Sequence, residues 1–191
     1  MKDSPSVDPG SDRREPEPAG TLRMDLRVWI RDILLSLTIA AVVIVFLCQP
    51  VKVEGTSMLP HLVDEQRIFV SKIAYRFDQI ERGDVIVFRF PEDPARSYIK
   101  RVVGLPGETV EIRGGRVLID GRPHSEPYVP TRYRDRSSHA PLRVEDGSYY
   151  VLGDHRNTSN DSRTWGTVQS SFVSGKAVFA YWPPERFGVV R

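Results

Sequence analysis

The stretch SYIKRVVGLPGETVEIRGGRVLID, residues 97–120, predicts three successive β-strands. Its first segment, SYIKRVVG, and the two that follow, TVEIR and RVLID, are rich in the β-branched and aromatic residues that strands favour. TVEIR and RVLID are separated by Gly114-Gly115, and both corners of a primed two-residue turn require residues that tolerate a positive φ. The stretch therefore predicts a β-hairpin preceded by a further strand.

Short runs of the same kind occur on both sides of this stretch. We predict four more strands: RIFVSK (67–72), DVIVFRF (84–90), SYYVLGD (148–154) and KAVFAYW (176–182). Residues 121–147 contain four prolines and scattered charge, which predicts an irregular insertion or a smaller lobe. No internal repeat is visible.

The N-terminal part of the chain has a different composition. Residues 1–20 are rich in Pro, Gly, Ser and charge, and we predict a disordered tail over residues 1–27. No charged residue occurs between Ile33 and Cys48. Together with the apolar residues from Val28 onward this makes about 20 residues, enough for a helix to cross about 30 Å of hydrocarbon. The sequence thus predicts a transmembrane helix over residues 28–48, with Arg31 reaching back to the interface.

Cleaved secretory signals and lipoprotein signals also contain an apolar segment after a basic start. A cleaved signal would be followed by a small-x-small cleavage pattern, which is missing. A lipoprotein signal would need a small residue before Cys48, where the chain has Leu47. An uncleaved anchor is favoured, with a cytoplasmic tail and residues 49–191 outside the cytoplasm, because the basic residues flanking the segment are more numerous on its N-terminal side: Arg13, Arg14, Arg23, Arg27 and Arg31 against Lys52 and Arg67.

The overall composition excludes several kinds of protein. Lys plus Arg number 27 and Asp plus Glu number 25, so no concentrated basic face for nucleic acid is indicated. Cys48 is the single cysteine, which excludes an internal disulfide and a Cys-rich zinc site. After the N-terminal segments, one folded part of about 140 residues remains.

The histidines do not support a conventional Ser-His-Asp triad. His61, His124 and His139 lie beside prolines or serines in predicted surface loops, whereas His155 lies in the polar stretch GDHRNTSNDSR. The lipase-type pattern G-x-S-x-G is also absent, because no second glycine follows Ser57 at the required spacing.

A serine can instead be activated by a lysine whose amine is neutral, and burial can lower the pKa of that lysine. Strand alternation puts Lys100 on one face with Tyr98 and Val102, and Arg101 on the other. The pattern leaves two possibilities open: Lys100 is buried among apolar neighbours, or it lies on an edge strand and points to water. The stretch GDHRNTSNDSR is equally open to two interpretations, a plain polar turn or a site loop in which Asp161 pairs with Arg163.

Four segments together resemble the ordered motifs of the bacterial type I signal peptidases. They are GTSMLP (55–60), RGDVIVF (82–88), YIKRVVGLPGE (98–108) and GDHRNTSNDSR (153–163), and the likeness spans residues 30–182. The resemblance implies that Ser57 is the nucleophile and Lys100 the general base. It also implies that Ser159 orients the lysine, and that five further side chains brace the site: Asp154, Arg156, Asp161, Ser162 and Arg163.

Two positions depart from the pattern of the Gram-negative enzymes. Gly55 stands where those enzymes place a serine hydroxyl in the oxyanion hole, so the backbone N–H of Ser57 is the expected donor here. The Thr56 hydroxyl and a water molecule are both candidates for a second donor. His155 stands where the family usually has Asn, and its role is left open.

The resemblance also implies a substrate and a place of action. Family members bind the substrate as an added β-strand and select small residues before the cut, of the Ala-x-Ala type. The residues matching the apolar pocket positions are Val51, Val53, Met58, Tyr98 and Ile99. We expect Gly55 to let the substrate backbone come close and Met58 to form an apolar wall.

The sequence-based hypothesis is therefore a membrane-anchored serine endopeptidase of exported preproteins. We expect a mainly β fold, with an antiparallel sheet or partly open barrel as the catalytic domain and a smaller β lobe, preceded by one transmembrane helix. The partners would be preproteins and the lipid bilayer of the plasma (inner) membrane, with no cofactor and no metal; the sequence does not indicate an oligomeric state. Two alternatives compete with this hypothesis: the related self-cleaving repressors, which carry a DNA-binding head instead of an anchor, and a non-catalytic β-domain that binds exported peptides.

Overall fold

A computed structural model describes residues 21–190 of the chain, without the side chains of residues 21–25 and 43–46. The chain divides into two units, Met1–Val42 and Val43–Arg191.

Helix α1 spans Thr21–Leu47. Large apolar side chains along it are exposed, among them Trp29 at 69% and Leu37 at 61%. Within the described part of the chain, no helix combines the length and apolar character needed to cross a membrane, so the transmembrane helix predicted over 28–48 is not confirmed. Most of the predicted tail lies outside the described residues. Its last part, residues 21–27, is helical and not disordered as predicted.

The larger of two sheets contains eight strands. Its order is β1-β2-β11-β3-β4-β9-β10, with β12 paired to β11, and every pairing is antiparallel. The strands are β1 (Cys48–Lys52), β2 (Arg67–Ser71), β3 (Val85–Phe90), β4 (Asp93–Gly104), β9 (Ser148–Leu152), β10 (Val168–Gln169), β11 (Val173–Trp182) and β12 (Gly188–Val189). Two short helices, α2 (Ala74–Phe77) and α3 (Ser162–Trp165), lie between strands.

The smaller sheet contains four strands in the order β7-β6-β5-β8. Its members are β5 (Thr109–Arg113), β6 (Arg116–Ile119), β7 (Arg122–Pro123) and β8 (His139–Arg143). Gly114 and Gly115 join β5 to β6 with φ values of 56° and 76°, as the predicted primed hairpin requires. The segment 121–147 contributes only β7 and β8, so the small lobe also includes the hairpin that precedes it.

The mainly antiparallel β fold is confirmed, and each of the seven strands predicted from the sequence corresponds to a strand of the structure. The pairing order of the large sheet ends at β1 and β10, so among the described strands no hydrogen bonding closes it into a full barrel. The prediction missed β1, β7, β8, β10 and β12, which are short or lie in proline-containing segments.

Three apolar clusters of buried residues pack on these sheets. One includes Val53, Met58, Leu62 and Ile68, and another includes Phe88 and Val102, with Tyr98 packed against it. The third includes residues of both sheets, among them Val110 of β5 and Tyr150 of β9. Strand β4 pairs with β3 over residues 97–101 and with β9 from Arg101 onward, so among the described strands it has neighbours on both sides around Arg101.

Candidate active site

Ser57 and Lys100 meet although 43 positions separate them. Lys100 Nζ lies 2.7 Å from Ser57 Oγ, and it also donates a hydrogen bond of 3.0 Å to the carbonyl oxygen of Ile99. Lys100 comes from β4, where it lies opposite Ile86 of β3. Ser57 lies in the turn that follows β1. The pair is therefore supplied by one strand and one turn.

The Lys100 amine is in an environment that disfavours its charged form. Lys100 is 4% exposed, and its Nζ lies 5.3 Å from the centre of the Tyr98 ring. Burial lowers the pKa of Lys100 from 10.5 to about 8, although the carboxylates of Asp161 and Asp154 act in the opposite direction. Of the two orientations that strand alternation left open, the buried one is observed.

The turn that carries Ser57 is held by its own backbone and by one carboxylate. Leu59 N–H donates to the Thr56 carbonyl at 3.2 Å, and Gly55 N–H donates to Asp64 Oδ1 at 2.7 Å. Gly55 has a φ of 90°, a conformation that L side chains rarely adopt. A side chain at position 55 would therefore be strained, although no atom lies within 4 Å of its Cβ position.

The loop 153–163 is ordered around Asp161. Its carboxylate accepts a hydrogen bond from Gly153 N–H at 3.0 Å and forms two with the Arg163 guanidinium, at 2.7 and 2.8 Å. Asp161 also caps α3 by accepting from Arg163 N–H. Ser162 Oγ accepts from Val151 N–H at 2.9 Å, which ties the start of α3 to β9. The Asp161–Arg163 pairing predicted from the sequence is present.

A second buried carboxylate, Asp154, joins this loop to β4. Arg101 donates to both of its oxygens, at 2.8 and 2.7 Å. His61 Nδ1 approaches Asp154 Oδ2 to 3.1 Å without the alignment of a hydrogen bond. Burial alone would raise the pKa of Asp154, but the contacts with Arg101 and His61 outweigh it and lower the pKa. Asp154 is thus held as a carboxylate.

Arg156 pairs with Glu126, a residue that no sequence motif indicated. The guanidinium makes two hydrogen bonds to the Glu126 carboxylate, one of them 2.8 Å long, and a third to the Gly153 carbonyl at 3.0 Å. Both side chains are nearly inaccessible to solvent. Arg101 was likewise missed, because alternation placed it on the face opposite Lys100, yet both faces of β4 are buried at this point. Glu126 is a single acidic residue between two prolines, and the surrounding sequence contains no motif that could have identified it.

Ser159 lies close to the site without the contact predicted for it. Its Oγ is buried, and no hydrogen-bond partner for it lies within the described residues, Lys100 included. Gly153 makes room for this serine: a Cβ at position 153 would lie 2.2 Å from Ser159 Oγ and 2.5 Å from the Ser57 carbonyl oxygen. The backbone at Gly153 therefore packs directly against the residue that carries the candidate nucleophile.

A cleft of about 740 Å³ contains both Ser57 and Lys100. Four of the five residues predicted to bind substrate line it: Val51, Val53, Tyr98 and Ile99. The prediction for Met58 is wrong. Its side chain is 1% exposed and packs into the core with Leu62 and Ile68, because the turn directs it inward, away from the cleft.

Thr56 and Gly55 also line the cleft, and His155 contacts the same turn. The His155 N–H donates to the Ser57 carbonyl at 3.0 Å, and its ring Nδ1 lies 3.1 Å from the Thr56 carbonyl oxygen. The imidazole packs edge-to-face on Tyr133, with ring centres 4.6 Å apart. Over the residues that the structure describes, no group of His, Cys, Asp or Glu side chains is arranged to hold a metal ion.

Comparisons with known proteins agree on one family. The family described as "Signal peptidase, peptidase S26" matches residues 26–182. A signal peptidase I from Leptolyngbya laminosa is 42% identical over 168 residues, which cover 83% of this chain and 81% of the relative. Signal peptidase IB from Staphylococcus aureus is 31% identical over 182 residues, covering 87% of this chain and 94% of the relative. The crystal structure of a signal peptidase I from Enterococcus faecalis V583 is 33% identical and superposes with a TM-score of 0.46, covering 52% of this chain and 97% of that chain.

Proposed function

The chain belongs to the signal peptidase family, peptidase S26, and we propose that it is a membrane-anchored serine endopeptidase that removes N-terminal signal peptides from exported preproteins. One observation carries the proposal: the buried Lys100 amine, with a pKa lowered to about 8, lies 2.7 Å from Ser57 Oγ. A neutral amine at this distance can accept the hydroxyl proton, which an ammonium group cannot.

The reaction begins with proton transfer from Ser57 Oγ to the neutral Lys100 Nζ while the oxygen attacks the scissile carbonyl carbon. The carbonyl oxygen becomes an oxyanion, and Lys100 then gives its proton to the leaving amine as the C–N bond breaks. The acyl group remains on Ser57 as an ester. In the second half, Lys100 takes a proton from water, the resulting hydroxide adds to the ester carbonyl, and the proton returns to Ser57 as the acid product leaves.

The backbone N–H of Ser57 is the donor that we assign to the oxyanion. In residues 21–190 no protein acceptor takes this N–H, and Ser57 lines the cleft in which the substrate carbonyl would lie. Oriented donors of this kind stabilise charge that develops in the transition state. The Thr56 hydroxyl, which lines the same cleft, remains the protein group available as the second donor in place of the side chain that Gly55 lacks.

Two unpaired strand edges support binding of the substrate as an added β-strand. Among the described strands, β1 pairs only with β2, and β4 pairs with β9 only from Arg101 onward, which leaves the edge of residues 95–99 without a β9 partner. Residues 51–55 and 95–99 both line the cleft. An extended peptide between them would gain backbone hydrogen bonds, and its alternate side chains would meet the apolar lining. We assign to this lining a preference for small residues of the Ala-x-Ala type before the cut.

The membrane anchor is part of the same proposal. Apolar side chains along α1 from Leu26 to Val42 are exposed to solvent in the described chain, and a row of this kind has a strong tendency to leave water. We assign α1 to the plasma (inner) membrane, with the N-terminus in the cytoplasm and the catalytic domain, residues 49–191, outside it. Preproteins emerging from the bilayer would meet the cleft there.

The decisive experiment is cleavage of a preprotein by the detergent-solubilised full chain, compared with its Ser57→Ala and Lys100→Ala variants. We expect cleavage after a small-x-small site by the wild type and none by either variant. Ser125→Ala and Lys72→Ala change exposed residues of the same types and should cut normally. Continued cutting by Ser57→Ala or Lys100→Ala would refute the mechanism. A wild-type chain that binds the preprotein without cutting it would identify a binding module instead.

A further inference from the structure

His155 contacts the peptide unit that supplies the proposed oxyanion donor. This unit consists of the carbonyl of Thr56 and the N–H of Ser57. The ring Nδ1 of His155 lies 3.1 Å from the Thr56 carbonyl oxygen, and the backbone N–H of the same residue donates to the next carbonyl, that of Ser57, at 3.0 Å. One residue therefore contacts two consecutive carbonyls of the turn.

A carbonyl oxygen only accepts hydrogen bonds, so the contact requires a proton on Nδ1, and His155 is the donor. Nδ1 carries that proton in the corresponding neutral tautomer and also in the imidazolium ion. The contact thus persists in both protonation states. The Tyr133 ring, packed edge-to-face on the imidazole, restricts the orientation of the ring that donates.

The geometry of a peptide bond transmits this contact to the cleft. The Thr56–Ser57 bond is trans, because the cis bonds of the described chain are Leu59-Pro60 and Trp182-Pro183. In a planar trans unit the carbonyl and the N–H point in opposite directions, so a donor that holds one also sets the direction of the other. A hydrogen bond to the carbonyl additionally polarises the unit and strengthens its N–H as a donor.

From this geometry we infer that His155 is a positioning residue for the oxyanion hole, acting through the Thr56–Ser57 peptide unit. The inference rests on the proposed function, since it assigns a role within that reaction. The Leu59 N–H also donates to the Thr56 carbonyl, at 3.2 Å, so loss of His155 leaves one of the two donors in place. The effect is therefore smaller than loss of the oxyanion donor itself.

A matched pair of variants isolates the donor. In His155→Asn the amide nitrogen can occupy the place of Nδ1 and still donate to Thr56, whereas His155→Leu keeps comparable bulk without any donor. Both variants lose the ring that packs on Tyr133, so packing alone cannot separate them. His124→Leu serves as the control for removal of a histidine elsewhere, and thermal unfolding of all variants reports their folding.

We expect His155→Leu to lower kcat about tenfold, less than the 100-fold or greater loss typical of a deleted oxyanion donor, with KM unchanged. His155→Asn should stay within about threefold of the wild type, and the pH dependence of kcat/KM should be the same in all. A second readout is the ratio of binding constants for a peptide aldehyde, whose adduct with Ser57 carries the oxyanion, and the matching peptide alcohol. That ratio should fall in His155→Leu only, and it is independent of the fraction of active protein.

The outcomes separate the two levels of inference. Equal kcat and equal aldehyde preference in His155→Leu and His155→Asn would overturn the role of His155, as would a shifted pH profile, which would indicate participation in proton transfer. Ser57→Ala is included in the same assay. If it still cuts, the proposed function itself fails; if it is inactive while His155→Leu behaves as the wild type, only the inference about His155 fails.

Discussion

Arg156 and Glu126 form a buried, two-pronged ion pair between the loop 153–163 and the proline-containing segment 121–147. Glu126→Ala would leave the guanidinium buried and unpaired, and breaking a pair in this way costs about 3–5 kcal/mol of unfolding free energy. Chemical denaturation monitored by fluorescence measures the loss. Glu145→Ala removes an exposed acid and should change stability by less than about 0.5 kcal/mol. Equal stabilities of the two variants would show that the pair does not stabilise the fold.

Cleavage should depend on pH through Lys100. Only its neutral form can act as a base, and burial lowers its pKa to about 8, so kcat/KM should rise about tenfold per pH unit below pH 8 and level off above it. Single-turnover cleavage of a preprotein measures the chemical step without product release. A flat profile between about pH 6 and 9 under these conditions would contradict the role of the amine.

The same pKa has a consequence for stability. Because Lys100 has a lower pKa in the folded chain than its ordinary 10.5, the unfolded chain binds more protons between about pH 8 and 10.5, and folding becomes more favourable as pH rises through that window. The Lys100→Met variant lacks this pH-dependent contribution to the free energy of unfolding. Its stability relative to the wild type should therefore be greatest below pH 8 and decline by about 3 kcal/mol by pH 10.5.

Denaturant titrations at several pH values test the Lys100→Met prediction. Lys72→Met, which replaces an exposed lysine, is measured in parallel as the control for removal of an ammonium group elsewhere. A difference from the wild type that is constant across pH for Lys100→Met would mean that the amine titrates alike in the folded and unfolded chains.

The absence of a side chain at Gly153 should be essential for activity. A Cβ there would lie 2.5 Å from the Ser57 carbonyl oxygen, so Gly153→Ala must displace the turn that carries the nucleophile. A displacement of about 1 Å can cost about 100-fold in rate, and we expect a fall in kcat/KM of that order. Gly175→Ala, in β11, is the matched control, because a Cβ at position 175 would lie 2.3 Å from the carbonyl oxygen of Ser71 in β2. It should destabilise the fold while the folded fraction cuts at the normal rate. Equal kcat/KM for both variants would disprove the prediction.

The cleft lining should set the size of the residues accepted before the cut. Ile99→Ala would enlarge the cleft, so preproteins with Val or Leu in place of the small residue should gain relative to Ala by about 10- to 100-fold in kcat/KM. Competition between two preproteins in one reaction gives this ratio directly. Ile119→Ala changes a half-buried isoleucine packed on the small sheet and should leave the ratio as it was. An unchanged ratio in Ile99→Ala would exclude this side chain from the selection.

Local patterns were sufficient for most of the fold. The strands around β5 and β6 follow from β-branched composition and from two glycines that can both adopt a positive φ. β1 was missed because it contains Pro50 and directly follows the apolar helix, so its sequence is not typical of a strand. β8 was missed because it contains Pro141. The beginning of α1 was missed because charged residues in 21–27 made that region look like part of the tail, although charged side chains are compatible with an exposed helix.

The site could be predicted only in part, for a physical reason. Ser57 and Lys100 were recognisable because they lie in continuous motifs, but the distance between their side chains depends on how the turn after β1 packs against β4, and strand alternation does not determine that. Met58 was assigned to the cleft because it matches an apolar pocket position of the family, whereas the direction of its side chain depends on the turn geometry. Glu126 contributes through a partner 30 positions away, and such a pairing has no local signature.

Burial of the Lys100 amine means that the protein is folded over a wider pH range than the range in which it cleaves its substrate. The pKa of Asp154 is lowered, so its ion pair with Arg101 persists into mildly acidic solution, where Lys100 is almost entirely an ammonium ion. Between about pH 5 and 6 the protein should therefore stay folded and bind its preprotein while cleaving it only very slowly. A rapid jump to alkaline pH would start every molecule at once, and this would allow the acyl-enzyme to be followed in time from a synchronised beginning.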